Sequence, residues 1–146
     1  MRQSLRRAFP LLATLALAAG LAACSGTPRA ANATRPYPAA KGQGDVLDIQ
    51  VIRRGTEIEL TNTSARALGP GTLWLNRRFA KPLPGIAVGE QLTLDLYDFL
   101  DEHGRAFRGG GFFAKQPPQR LVLAQYELAE PADAKVLGLL VVGLPE

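Results

Sequence analysis

Apolar and polar residues alternate along much of the chain after residue 44, and this alternation constrains the fold more than any other feature. In segments 47–51 and 92–96 every second residue is apolar and the residues between them are polar. Successive side chains of a β-strand point to opposite faces, so a period of two places the apolar residues on one face. The pattern therefore predicts an all-β domain with strands buried on one side.

Turn residues divide this domain into seven or eight short strands. The dipeptide Arg54-Gly55 predicts a hairpin, and a helical turn is expected only in 97–103. Segment 136–142 is apolar on both faces, which predicts a central strand. The further strands are expected at 72–76, 86–88, 92–96, 106–114 and 121–128. This spacing favours an immunoglobulin-like β-sandwich, with a small β-barrel as the alternative.

The first 24 residues have the features of a secretory leader. A basic start is followed by an apolar stretch of about 13 residues and by Leu21-Ala22-Ala23-Cys24. The apolar stretch is too short to span a bilayer of about 30 Å as a helix. The tetrapeptide resembles the lipobox of bacterial lipoproteins. An ordinary signal peptide with a cysteine beside its cleavage site is the alternative.

The lipobox resemblance implies that Cys24 becomes the mature N-terminus and carries acyl chains. Two or more chains anchor a protein stably in a membrane. Ser25 follows the cysteine, where lipoproteins of the inner membrane often carry Asp, so a periplasm-facing outer-membrane location is expected. Cys24 is the only cysteine, and the domain must therefore fold without an internal disulfide.

Composition divides the chain into three parts. Residues 1–23 are the expected signal peptide, 24–44 the lipidated cysteine with a flexible tether, and 45–146 the β domain. The tether is rich in Ala, Pro and Gly, and its Tyr37 has no apolar neighbours in sequence. Six of the 17 basic residues precede Asp45, which leaves 11 basic and 13 acidic residues in the domain. This balance argues against a nucleic-acid-binding surface.

Trp74 and the residues after it form the candidate binding site. If Leu73 and Leu75 face the core, Trp74 lies on the opposite face of the strand. An exposed indole there could stack on a sugar ring or on a partner protein, and Trp and Arg are enriched at binding hot spots. The candidate residues are Trp74, Asn76, Arg77, Arg78 and Phe79. The alternative for Trp74 is that it packs in the core or under a loop. Arg77-Arg78 could stack on Phe79 or Trp74 or bind an anion, and the alternative is a solvated strand end.

No catalytic, metal or cofactor motif is recognised. His103 lies close to Asp98, Asp101 and Glu102, but no second histidine or cysteine accompanies it to hold zinc. This acidic cluster is expected to cap a loop. Gly109–Gly111 are interpreted as a strand bulge, and the phenylalanines at 107, 112 and 113 as core residues. An enzyme is therefore not expected.

Segments 62–64, 72–79, 107–113 and 120–123 together resemble a family of small uncharacterised bacterial lipoproteins. The similarity covers most of 47–128 and implies no activity, substrate or site. The expectation is a lipid-anchored, non-enzymatic module of the cell envelope. It is expected to bind a protein partner through a strand edge or the Trp74–Phe79 region, and cell-wall glycan is the alternative ligand.

Overall fold

The computed structural model describes residues 35–132 and 134–143. The expected leader, Cys24 and the first part of the tether lie outside these residues. The strands of the described part are β1 (Gln43–Arg54), β2 (Glu57–Asn62), β3 (Gly71–Leu75), β4 (Phe79–Leu83), β5 (Gln91–Asp95), β6 (Ala124–Leu128) and β7 (Val136–Val142), and a 3-10 helix spans Leu96–Asp98. None of the helical structure in this part is long and apolar enough to cross a membrane.

All seven strands belong to one mixed sheet with the order β4-β3-β6-β7-β1-β2-β5, which curls into a half-barrel. Antiparallel pairs join the neighbours, except that β1 and β7 run parallel at the centre. The prediction of an all-β fold with about seven strands is confirmed. The assignment of the curled sheet to a sandwich or to a small barrel stays a prediction.

The concave face of the sheet holds the hydrophobic core. Ile58 and Leu60 from β2 and Leu73 and Leu75 from β3 point into it, as the alternation predicts. The long irregular segment between β5 and β6 covers part of this face with Phe107 and its neighbours. Burial of these apolar side chains is the main favourable contribution to folding.

Several predicted elements agree with the structure. The hairpin at Arg54-Gly55 is present, with Arg54 opposite Glu57, and β7 has the predicted bounds and lies between β6 and β1.

Two other predicted elements are shorter than expected. The helical candidate at 97–103 is reduced to the single 3-10 turn. The strand expected at 86–88 is only an isolated bridge between Ile86 and Leu68.

Two predictions on the strands are wrong. Segment 106–114 is irregular, because Gly110 and Gly111 have positive φ angles that a regular strand does not accommodate. Strand β4 was not predicted, since Pro82 and Pro84 suggested a break in the chain. Pro82 is tolerated because β4 lies at the edge of the sheet, where one side of the strand needs no hydrogen-bonded partner.

The last residues of the expected flexible tether pack against the domain. β1 already begins at Gln43, and Tyr37 lies against the ring of Trp74 with 5.4 Å between ring centroids. Backbone hydrogen bonds from Ala39 to Tyr37 and from Lys41 to Pro38 form a turn between them. Residues 35–44 therefore pack on the domain instead of extending away from it, and the partners that hold this segment come from β3 and β6.

Candidate functional site

The turn between β3 and β4 places the predicted site residues. The backbone N–H of Arg78 donates to the carbonyl of Leu75 over 3.1 Å, and the two central residues have positive φ angles of 52° for Asn76 and 55° for Arg77. Positive φ at both central residues is the requirement of a type I′ turn, whose second position favours glycine. An arginine in this conformation is strained by about 1–2 kcal/mol.

The side chain of Asn76 fixes this turn to the neighbouring chain. Its Nδ2 donates to the carbonyl of Arg120 over 2.7 Å, and its Oδ1 accepts from the N–H groups of Val122 and Leu123. Asn76 thus satisfies backbone groups in the segment that leads into β6. This role is structural, and it holds the adjacent Arg77 in one position.

Trp74 is fully buried on the face of the sheet opposite the hydrophobic core. Tyr37 packs against it edge to face, and the Arg35 guanidinium lies 5.8 Å from its ring centroid. The indole Nε1 donates to Oε2 of the buried Glu127 over 2.9 Å. As predicted, Trp74 lies on the face of the sheet opposite Leu73 and Leu75. The N-terminal segment covers the indole, however, and leaves no open stacking surface.

Glu127 is the charged centre beneath this cover. Arg35 pairs with its Oε2 over 2.6 Å and Lys41 with its Oε1 over 2.8 Å. Burial alone would raise the pKa of Glu127, but the hydrogen bonds from Lys41, Arg35 and Trp74 together lower the pKa below its ordinary value of 4.5. The carboxylate therefore stays ionised at neutral pH and holds the N-terminal segment on the sheet.

Asp101 forms a second buried acidic centre, 1% exposed, behind the β3–β4 turn. Its Oδ2 accepts from Arg78 and Arg105, each over 2.9 Å, and its Oδ1 accepts from the N–H groups of His103 and Arg105. Burial opposes ionisation, but the hydrogen bonds outweigh it and hold the pKa of Asp101 far below its ordinary value of 3.8. Asp101 thus caps its loop, as expected for the acidic cluster.

An open cleft of about 350 Å³ lies beside Asp101; its lining residues are Pro36, Tyr37, Arg77, Arg78, Asp101, Glu102 and Arg105. The guanidinium of Arg77 lies 5.9 Å from the centroid of the Tyr37 ring. Within the described residues Arg77 forms no ion pair, whereas Arg78 and Arg105 are both paired with Asp101. Among the described residues, Arg77 is therefore the arginine of the cleft that lacks an ion pair, and it lies beside an aromatic ring.

The structure separates the five predicted site residues by role. Arg77 and Arg78 line the cleft, whereas Asn76 supports the turn and Trp74 lies beneath Tyr37. Phe79 is a core residue whose ring packs edge to face on Phe107, and the Arg78 guanidinium lies 5.1 Å from its centroid. The predicted cation–π contact between this arginine pair and an aromatic ring is therefore present.

The sequence did not reveal the other cleft residues. Tyr37 and Pro36 come from the segment interpreted as a tether, and Arg105 lies in an irregular loop. One available signal was Glu127, the only acidic residue between 103 and 129, inside the strand that contains Tyr126 and Leu128. A carboxylate in such a strand needs a cationic partner when buried, and that partner had to come from elsewhere in the chain.

Other candidates take different positions. His103 is exposed and lies 3.4 Å from Glu102, and the described residues contain no group of three or more metal-ligating side chains. Phe107 is buried, as predicted. Phe112 and Phe113 are 95% and 91% exposed, so the prediction that they are core residues is wrong. They lie in the irregular segment after the three glycines, which carries them away from the sheet.

Comparisons with protein-family models, with curated proteins and with solved structures found no match.

Proposed function

We propose that the chain is a lipid-anchored protein of the bacterial cell envelope whose β domain binds a protein partner at the cleft beside Arg77. The partner contributes a carboxylate to this arginine and an apolar side chain to the adjacent Tyr37. No catalytic chemistry is required of the domain in this role.

The conformation of Arg77 carries the proposal. An arginine with a φ of 55° occupies a turn position that favours glycine, and no intramolecular ion pair within the described residues compensates its strain. Residues in strained conformations are enriched at functional sites. Arg77 and Tyr37 together also have the residue composition of a binding hot spot, because arginine and tyrosine dominate the energetics of many protein interfaces.

The proposed anchor depends on the leader sequence. Cys24 lies outside the described residues, and 11 residue steps separate it from Arg35, the first described residue. A chain of that length extends at most about 40 Å, so the domain would stay close to the membrane. Replacement of Cys24 by Ser is expected to release the protein from the membrane fraction or to leave it unprocessed, and mass spectrometry would detect the acyl chains on the natural protein.

Cell-wall glycan remains the alternative ligand, but the predicted stacking residue is not exposed. Glycan binding would use an exposed aromatic face, and Trp74 is buried beneath Tyr37 and Arg35. Cosedimentation with purified sacculi tests this alternative directly, because a glycan-binding domain would be depleted from the supernatant.

The experiment on the cleft compares partner capture by the natural chain and by Arg77→Glu after crosslinking in solubilised envelope. Charge reversal is expected to remove a specific captured protein by repelling its carboxylate. Arg66→Glu is the matched control, since Arg66 is also an exposed arginine but lies in the loop before β3, at the opposite end of that strand. Equal capture by the natural chain and Arg77→Glu would contradict the proposal.

A further inference from the structure

Phe112 and Phe113 are the two most exposed large apolar side chains of the described residues, and they lie in one loop. The two rings pack edge to face with centroids 5.0 Å apart, and both are more than nine-tenths exposed. Each ring therefore lacks the burial that aromatic side chains of soluble domains usually have. Val122, 67% exposed, lies near the C-terminal base of the same loop.

The base of this loop is fixed to the sheet. The guanidinium of Arg53 donates to the carbonyl of Gly109 over 2.6 Å and to the carbonyl of Gln119, and the N–H of Gln119 donates to the carbonyl of Arg108. The hydroxyl of Tyr97 donates to the carbonyl of Gly110. These contacts close the loop at its base and project the two phenylalanines outward at a defined end of the domain.

The segment that carries the exposed rings is basic. The segment from 103 to 126 contains Arg105, Arg108, Lys115 and Arg120 and no acidic residue. Arg108, Lys115 and Arg120 are exposed. This arrangement differs from the rest of the domain, where acidic residues outnumber basic ones. A protruding aromatic pair on a basic segment matches the boundary between anionic lipid headgroups and acyl chains, because the rings can enter the apolar layer while the cations contact phosphate.

We propose that the Phe112–Phe113 loop inserts into the interface of a membrane containing anionic lipids and orients the domain on that surface. The inference concerns a surface distinct from the Arg77 cleft and does not require a protein partner. Asn76 joins the two regions, since it bonds to Arg120 and to the N–H groups that follow it. Insertion of the loop would therefore hold the cleft close to the bilayer, within reach of a partner on the same membrane.

The test places an environment-sensitive fluorophore beside the two rings in the full chain. Cys24→Ser removes the natural thiol together with the proposed anchor, so membrane contact of the loop is measured without acyl chains, and Ala114→Cys provides a single labelling site in the loop. Val88→Cys is the matched control, because Val88 is also exposed, at 56%, but lies in the loop between β4 and β5. Each protein is reconstituted into vesicles of phosphatidylcholine alone or of phosphatidylcholine mixed with phosphatidylglycerol, with and without brominated lipid.

Membrane insertion predicts a blue-shifted emission and quenching by brominated lipid at position 114 but not at position 88. The quenching should be stronger in vesicles with phosphatidylglycerol and should weaken at high salt, because salt screens the attraction between the cations and the headgroups. The double substitution of Phe112 and Phe113 by Ser should reduce the quenched fraction to the level at position 88. Emission of the buried Trp74 checks that each variant is folded.

Equal quenching at positions 114 and 88, or quenching that survives the double substitution, would overturn the proposal. A probe at 114 that stays in water in both kinds of vesicle would also overturn it and would leave the loop as a contact for protein. The Arg77→Glu capture experiment does not involve these phenylalanines, so failure of one proposal can be distinguished from failure of the other.

Discussion

The indole Nε1 of Trp74 donates a 2.9 Å hydrogen bond to Oε2 of Glu127, and this bond joins β3 to β6 on the face opposite the hydrophobic core. The same carboxylate pairs with Arg35 and Lys41 from the N-terminal segment. One buried acid thus connects two strands and the segment that leads toward the proposed anchor. The arrangement explains why Trp74 is buried although it does not belong to the core.

The burial of Trp74 predicts its fluorescence. As the only tryptophan, it should give a blue-shifted emission that resists quenching by acrylamide. Tyr37→Ala should increase the quenching and lower the free energy of unfolding by about 1 kcal/mol, because an edge-to-face aromatic contact is lost. Tyr97→Ala is the control, since its ring lies beside Gly109 instead of Trp74. Equal quenching in the two variants would contradict the proposed cover.

The lowered pKa values of Glu127 and Asp101 predict loss of stability in acid. A carboxyl whose pKa is lower in the folded state stabilises the fold above its unfolded pKa, and this contribution is lost as the pH falls through the folded value. The free energy of unfolding should therefore decrease below about pH 4.5, the ordinary value for Glu127. Urea titrations followed by Trp74 emission across this range provide the measurement.

Glu127→Gln should lower the free energy of unfolding at neutral pH by about 1–2 kcal/mol, because charged hydrogen bonds to half-exposed partners are weakened. The variant should also lose less stability in acid than the natural chain. Glu90→Gln is the control, since the Glu90 carboxylate accepts from the backbone N–H of Ala87 and forms no ion pair among the described residues. If the free energy of unfolding of Glu127→Gln fell with pH as steeply as that of the natural chain, the Glu127 carboxylate would not be the cause of the acid sensitivity.

The strain at Arg77 predicts that replacing this residue by glycine changes stability and partner binding in opposite directions. Arg77→Gly should raise the free energy of unfolding by up to about 1 kcal/mol, because glycine adopts a positive φ without the Cβ clash. The same variant should lose the captured partner. Arg78→Gly is the comparison, since it removes an ion pair with Asp101 and should destabilise the domain. A lower free energy of unfolding in Arg77→Gly than in the natural chain would show that Arg77 is not strained.

The position of the core predicts unequal effects of two leucine truncations. Leu73 is fully buried, whereas Leu140 on β7 is 40% exposed. Leu73→Ala should cost about 2–5 kcal/mol of unfolding free energy, and Leu140→Ala less than about 1 kcal/mol, because only the first leaves a cavity. Thermal or urea unfolding of both variants would show the difference, and similar losses would contradict the described core.

The alternation of residues was sufficient to predict the all-β class and the strands whose pattern is local. It placed Leu73 and Leu75 together and Trp74 on the other face, whereas β7 was identified as a central strand because 136–142 is apolar on both faces. Position in the sheet decides whether Pro82 is tolerated in β4, and no local pattern shows that β4 is an edge. The parallel pairing of β1 with β7 likewise joins segments about 90 residues apart in sequence.

Only some of the residues that line the cleft could be predicted from the sequence, because the others come from segments that are distant along the chain. Arg77 and Arg78 could be selected because they follow Trp74 in sequence. Tyr37 could not, because a residue between two prolines in an Ala-rich segment has no local pattern that indicates packing. It is held by Gln125, 88 residues away, and its neighbour Arg35 by Glu127, 92 residues away.

A photocrosslinking amino acid at position 102, introduced into the full chain in growing cells, tests the central claim most directly, because the exposed Glu102 lines the cleft and its replacement leaves Arg77 in place. The account predicts one prominent crosslinked envelope protein at position 102, lost when Arg77→Glu is added and absent at position 66. An excess of a peptide derived from that partner's acidic contact segment should compete with the crosslink in isolated membranes, but its Asp→Asn and Glu→Gln form should not. The account would be contradicted by identical crosslinked products at positions 102 and 66, by none at position 102, or by a crosslink that survives Arg77→Glu.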